Sequence, residues 1–153
     1  MMGVWPRKRP WTDHLVLSSF VFLQPAYLWH LAGYWWVGLL VTVSAAMSVW
    51  YHRLAERERW SSLLDMIMAT VTCAATVAVY GAEVLPSGAG MEWHFPVLFV
   101  GLMCGGLYVL SHRAHDQYNK EAYQRVHLAW HIAVVIGQLV LASAVYTVKV
   151  EGL

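Results

Sequence analysis

The sequence has few charged residues and few cysteines. Only 12% of its 153 residues are Asp, Glu, Lys or Arg, whereas 59% are hydrophobic, and this balance is typical of membrane proteins. Cys73 and Cys104 both lie inside apolar segments, where we expect free thiols and not a disulfide or a zinc knuckle. There is no low-complexity tract, no internal repeat and no polar segment long enough for a soluble domain.

What the sequence does contain is a series of long apolar segments separated by short charged ones. We predict an all-α integral membrane bundle of five transmembrane helices, forming one domain over residues 13–153 after a basic tail, residues 1–12. Pro25 is expected to bend the first helix, and Gly33 to form a tight turn after it. The predicted spans are residues 15–32, 34–51, 63–80, 95–110 and 126–148, with a polar loop at residues 111–125.

The basic residues predict the orientation of these spans. Nine of the ten Lys and Arg residues fall in the tail or in the loops after the second and fourth spans. By the positive-inside rule these segments face the cytosol, and so does the N-terminus. The nine are Arg7, Lys8, Arg9, Arg53, Arg57, Arg59, Arg113, Lys120 and Arg125, and the tenth is Lys149.

Three histidines and one aspartate stand at the cytosolic ends of the predicted spans. His52 ends the second span, Asp65 begins the third, and His127 and His131 begin the fifth. The last two are four residues apart, so both imidazoles project from one face of a helix. A catalytic zinc ion typically has three protein ligands, such as three neutral imidazoles, and a fourth position that is open to water or substrate. Ser48, one turn before His52, could hydrogen-bond a ligand, a water or an oxyanion.

Each of these residues also has a purely structural interpretation. His127 could be an interfacial histidine at a helix start, and His52 could end its helix in solvent. Asp65 follows Ser62 in the pattern of a helix capping box, and Ser48 could be an ordinary small residue of a membrane helix. The coincidence in depth of several polar residues is what favours the metal site.

Other polar residues in or near the spans are assigned structural roles. His112 and His115 could join a metal site, but we expect them to be solvated in the loop before the fifth span. Gln24 and Gln138 lie inside spans, where interhelical hydrogen bonds are expected.

The pattern Ser48-x-x-x-His52, Asp65 and His127-x-x-x-His131 resembles the signature of the CREST superfamily of membrane hydrolases. That group includes alkaline ceramidases, adiponectin and progestin receptors, GPI-anchor remodelling lipases and myomaker-like proteins. The resemblance implies that His52, His127 and His131 bind zinc, that Asp65 holds the attacking water and that Ser48 supports the site. Members usually have seven spans, so this chain would be a shortened form.

Three functions are compatible with these observations. The first is a zinc-dependent hydrolase that acts on a lipid amide or ester at the cytosolic leaflet. The second is a non-enzymatic membrane scaffold with a structural zinc site, and a third, weaker one is haem binding. The expected partner is membrane lipid and not nucleic acid, and Gly101-x-x-x-Gly105 could pack within the bundle or form a homo-oligomer.

Overall fold

The computed structural model describes residues 8–54, 59–117 and 119–151, and these ranges contain helices and no strand. The first seven residues of the predicted tail, with Arg7, and the charged residue Arg57 lie outside them. The last helix ends in a short π-helical segment, Thr147–Glu151. The described residues form six α-helices: α1 His14–Phe20, α2 Leu23–Leu31, α3 Trp35–Arg53, α4 Arg59–Glu83, α5 Met91–Asp116 and α6 Lys120–Tyr146.

Three of the described helices are long and apolar enough to cross a membrane. They are α4 from Trp60 onwards, α5, and α6 with its continuation to Val150. A helix rises about 1.5 Å per residue, so even the shortest of them, 24 residues, exceeds the roughly 30 Å of a hydrocarbon core. The prediction of an all-helical fold is therefore confirmed for the described residues, and these three helices fit a membrane protein.

The first predicted span is interrupted one turn before Pro25. Proline has no N–H, so it cannot donate to the carbonyl of Val21, four residues earlier. That carbonyl accepts instead from the N–H of Gln24, at 3.2 Å. The helix consequently divides into α1, which ends at Phe20, and α2, which starts at Leu23.

The connections between helices differ most from the sequence prediction after α5. Gly33 has a φ of +83° and makes the predicted tight turn between α2 and α3. The predicted polar loop at residues 111–125 is wrong, because α5 continues to Asp116 and α6 already starts at Lys120. Asn119 caps α6 by accepting from the N–H of Ala122, at 3.1 Å. The drop in hydropathy after residue 110 predicted the end of the apolar segment, but α5 itself continues beyond that point to Asp116.

Helix α6 lies at the centre of the bundle. It packs against α1, α2, α4 and α5, whereas α3 packs against α1, α2 and α4. In an 18-residue apolar stretch of α6, 44% of the residues are buried, compared with 17% in α4 and 11% in α5. The largest apolar core joins α2, α3, α4 and the C-terminal half of α6, around the fully buried Trp29. This core holds one half of the bundle together, and the opposite half contains His52, His127 and His131.

Candidate metal centre

Three histidines from two helices converge in the half of the bundle away from Trp29. His52 comes from the last turn of α3, and His127 and His131 come from successive turns near the start of α6. One ring nitrogen from each lies within 4.8 Å of the other two, and this is the one such group of His, Cys, Asp or Glu side chains in the described ranges. His52 is 0% and His131 is 1% exposed. The structure thus brings together the three residues predicted as ligands.

The spacing of these nitrogens suits a bound metal ion. The Nε2 atoms of His52 and His131 are 3.2 Å apart. Two imidazoles that bind a tetrahedral ion at about 2.0–2.1 Å have nitrogens about 3.3 Å apart. The Nε2 atom of His127 is buried without a hydrogen-bond partner among the described residues, a state that is rare unless an ion or water completes it. The three side chains therefore fit a metal ion.

Two serines hold the outer nitrogens of the α6 histidines. The hydroxyl of Ser18 on α1 lies 2.8 Å from Nδ1 of His131, and the hydroxyl of Ser111 on α5 lies 2.8 Å from Nδ1 of His127. Such outer hydrogen bonds orient metal-binding imidazoles in known sites. Sequence reasoning did not single out either serine, since a serine in an apolar segment is common in membrane helices and carries no signal of its own.

The start of α1 is attached to the end of α3, beside His52. Asp13 caps α1 by accepting from the N–H of Leu15, at 3.0 Å, and forms a salt bridge of 3.2 Å with Arg9. The N–H of Arg9 donates to the carbonyl of Arg53 at 3.1 Å, and the Arg53 guanidinium donates back to the Arg9 carbonyl. Arg9 is only 1% exposed. These contacts set the position of α1, and therefore of Ser18.

Ser48 and Asp65 lie at the same level on neighbouring helices. Ser48 is buried, with its hydroxyl 3.1 Å from that of Ser19. Asp65 is half-buried and its carboxylate is not part of the three-histidine group. Two contacts show the antiparallel register of α3 and α4 that brings them level: Ser44 donates to the Met68 carbonyl at 3.1 Å, and Thr72 donates to the Leu40 carbonyl at 3.4 Å.

The capping interpretation of Asp65 is contradicted by the start of its helix. Because α4 already includes Arg59, Ser62 is inside the helix and cannot be its N-cap. Asp65 therefore stands in the second turn of α4, where it does not complete a capping box.

His112 and His115 lie in the last turns of α5 and not in a loop. The ring of His112 contacts Tyr108, with centroids 4.4 Å apart, and the ring of His115 contacts Tyr123, with centroids 5.4 Å apart. Neither histidine belongs to the three-histidine group. The expectation that they stay out of the metal site is consistent with this geometry.

A small apolar pocket adjoins His131. It has a volume of about 90 Å³ and lies between the end of α1 and one face of α6. A larger surface pocket of about 330 Å³ lies between α2 and α3 and contains none of the site residues. The lining of the small pocket is Ser18, Val21, His131, Ile132, Val135 and Ile136.

Comparison of the chain with protein-family models, with curated proteins and with solved structures finds no match. The case for the metal centre therefore depends on the geometry of its own side chains.

Proposed function

We propose that the protein is a zinc-dependent membrane hydrolase that cleaves a lipid amide or ester at the cytosolic leaflet. The observation that carries this proposal is the convergence of His52, His127 and His131 with no fourth Cys, His, Asp or Glu ligand among the described residues. Structural zinc sites generally have four protein ligands, whereas catalytic sites keep one position open. Three imidazoles without a carboxylate also leave the full charge of the ion available to act on a substrate.

The site would lie at the cytosolic end of a five-span bundle. In this topology α1 and α2 together form the first span and α3 the second. The 19 residues of α3 would reach about 28 Å at 1.5 Å per residue, close to the thickness of a bilayer core. The N-terminus is cytosolic in this proposal because nine of the ten basic residues then lie on that side. The chain would then be a shortened relative of the CREST superfamily. This assignment is supported by the resemblance of five residues to the superfamily's signature, namely Ser48, His52, Asp65, His127 and His131.

A zinc ion in this site would polarise a carbonyl group and lower the pKa of water at its open position. Asp65 would then accept a proton from the attacking water through its carboxylate oxygen and return it to the leaving group. The hydroxyl of Ser48 would donate to the oxygen of the cleaved carbonyl group as negative charge develops there. The Ser48 hydroxyl also lies 3.1 Å from that of Ser19, which keeps Ser48 beside α1.

A scaffold with a structural zinc site is the second candidate. The burial of His52 and His131 and the small volume of the adjacent pocket, about 90 Å³, favour it, because a lipid substrate needs access to the ion. Haem binding is less well supported, since two nitrogens 3.2 Å apart converge on one point and leave no slot for a porphyrin plane between them.

Metal analysis and hydrolysis assays on purified protein test the proposal. We expect one zinc ion per chain in the wild type and none in His131→Ala. Asp65→Asn should keep its zinc and hydrolyse lipids about 100-fold more slowly or worse. The substrates are an N-acyl lipid and an O-acyl lipid with a fluorescent acyl chain, in mixed micelles.

Each outcome discriminates between the candidates. A wild type without stoichiometric zinc would exclude both zinc functions. Zinc in the wild type, a lowered melting temperature in His131→Ala and no hydrolysis of either lipid would exclude the hydrolase and support the scaffold. A Soret band in the purified wild type would support haem instead.

A further inference from the structure

We propose that Ser18 and Ser111 are positioning residues of the metal centre, which preset the protonation of two of its three ligands. This inference rests on the metal binding proposed above. Each serine would accept a hydrogen bond from the Nδ1–H of one histidine. The Nε2 atom of that histidine would then carry no proton and would be ready to bind the ion.

The direction of the Ser18 hydrogen bond follows from its second contact. A serine hydroxyl has one proton and two lone pairs. The Ser18 hydroxyl donates that proton to the carbonyl of Leu15, at 2.9 Å. Its oxygen, 2.8 Å from Nδ1 of His131, can then only accept. His131 must therefore carry its proton on Nδ1, with the lone pair of Nε2 facing His52.

The direction of the Ser111 hydrogen bond follows from the far side of the His127 ring. Nδ1 of His127 lies 2.8 Å from the Ser111 hydroxyl, and its Nε2 is buried with no partner among the described residues. If Ser111 donated to Nδ1, the proton of neutral His127 would sit on Nε2 as a buried donor without an acceptor, which is costly. If Ser111 accepts, Nε2 carries a lone pair that a metal ion can use.

The two serines reach the ligands from opposite neighbours of α6. Ser18 belongs to α1 and Ser111 to α5, and both are buried, at 8% and 3% exposure. Each histidine of α6 thus has its Nδ1 held by a serine, which leaves Nε2 for the ion. This arrangement orients the rings before the ion binds, which reduces the entropy lost on binding.

Zinc affinity, measured by competition with a chelator, tests the inference in the full chain. We expect Ser18→Ala and Ser111→Ala each to weaken zinc binding by about 10–100-fold. Ser18→Thr and Ser111→Thr keep a hydroxyl and should restore most of the affinity. Ser44→Ala is the matched control, because it also removes a serine hydroxyl that donates to a carbonyl in the same bundle, that of Met68. The zinc affinity of this variant should equal that of the wild type.

A second measurement needs no metal. In metal-free protein labelled with ¹⁵N-histidine, we expect the nuclear magnetic resonance signals of His127 and His131 to show the Nδ1–H form. Ser18→Ala should alter this form at His131 alone, and Ser111→Ala at His127 alone.

The results separate this inference from the proposed function. A wild type that binds zinc, with alanine variants of equal affinity or unchanged histidine signals, would overturn the role of the serines and leave the metal site standing. Equal losses in Ser44→Ala would also overturn it, because the effect would then be general destabilisation. A wild type that binds no zinc would overturn the proposed function, and this inference with it.

Discussion

A histidine inside an apolar bundle has two ring nitrogens that need partners, and this requirement makes the three-histidine group informative. A buried histidine with a structural role has both nitrogens satisfied by the protein. The half-buried His94 satisfies both nitrogens in this way, since it lies 2.6 Å from the Tyr80 hydroxyl and 3.1 Å from the Ala89 carbonyl. His127 has a protein partner on one nitrogen only. This difference is the reason why the three-histidine group could hold a metal ion.

Gln138 illustrates a buried polar side chain with a structural role. Its carbonyl oxygen accepts from the indole N–H of Trp29 at 2.9 Å, and its amide donates to the hydroxyl of Thr76 at 3.2 Å. These bonds join α6 to α2 and α4, as predicted for an intramembrane glutamine. Gln24, for which the same was predicted, is exposed on α2.

We predict that Gln138→Leu lowers the free energy of unfolding by about 1–2 kcal/mol, because it leaves the buried Trp29 N–H without an acceptor. Gln24→Leu is the matched control and should change stability little. Unfolding by sodium dodecyl sulfate in mixed micelles, followed by circular dichroism, measures both. Equal stability of Gln138→Leu and Gln24→Leu would contradict this assignment.

At the scale of the helices, some glycines lie where two helices pack together and others lie on a surface that no described helix covers. A Cβ atom on Gly38 would lie 2.6 Å from the carbonyl oxygen of Ala26, so α2 and α3 are in backbone contact there. A Cβ atom on Gly101 or Gly105 would meet no described atom within 4 Å. The Gly101-x-x-x-Gly105 motif is thus not used for packing among the described helices.

The sequence-based prediction that this motif forms a homo-oligomer can be tested directly, because such motifs pair helices in membranes. Gly101→Ile together with Gly105→Ile should reduce the cross-linked dimer several-fold in lipid vesicles, without lowering monomer stability. Gly38→Ala should do the reverse: it destabilises the monomer, because the new methyl group collides with backbone. An undiminished dimer in the double variant, or a wild type that is monomeric, would contradict the prediction.

At the scale of the whole molecule, the bundle has two different ends. One end contains the three-histidine group, where side chains from four helices meet: α1, α3, α5 and α6. The opposite end carries the Tyr34 hydroxyl, which donates to Glu83, and Lys149, whose ammonium lies 4.2 Å from the centre of the Tyr34 ring. Five spans would place these two ends on opposite sides of the membrane.

Single cysteines in a Cys73→Ser, Cys104→Ser background test this topology. Ser87 lies between α4 and α5, and Gln117 between α5 and α6. We expect a membrane-impermeant maleimide to label Ser87→Cys in intact cells, and Gln117→Cys only after permeabilisation. Labelling of both cysteines in intact cells, or the opposite pattern, would contradict the proposed orientation.

The class of the protein and the common depth of the histidines could be predicted from sequence, because both depend on local properties. Hydropathy over a window decides whether a segment can cross a bilayer. A separation of four residues puts His127 and His131 on one helix face. Counting spans then brings His52 to the same end, without knowledge of how the helices pack.

The tertiary structure alone decided which side chains meet at that depth. A helix that is apolar on all sides has no preferred core face, so its rotation about its axis is set by packing. That rotation turns Ser18 and Ser111 towards His131 and His127, and it leaves Gly101 and Gly105 on the outside. The helical state of Arg59, which removes the capping role of Ser62, was likewise hidden by the charged flank of α4. The three histidines of the group were thus predictable from depth and spacing, whereas the serines that contact two of them depend on helix rotation.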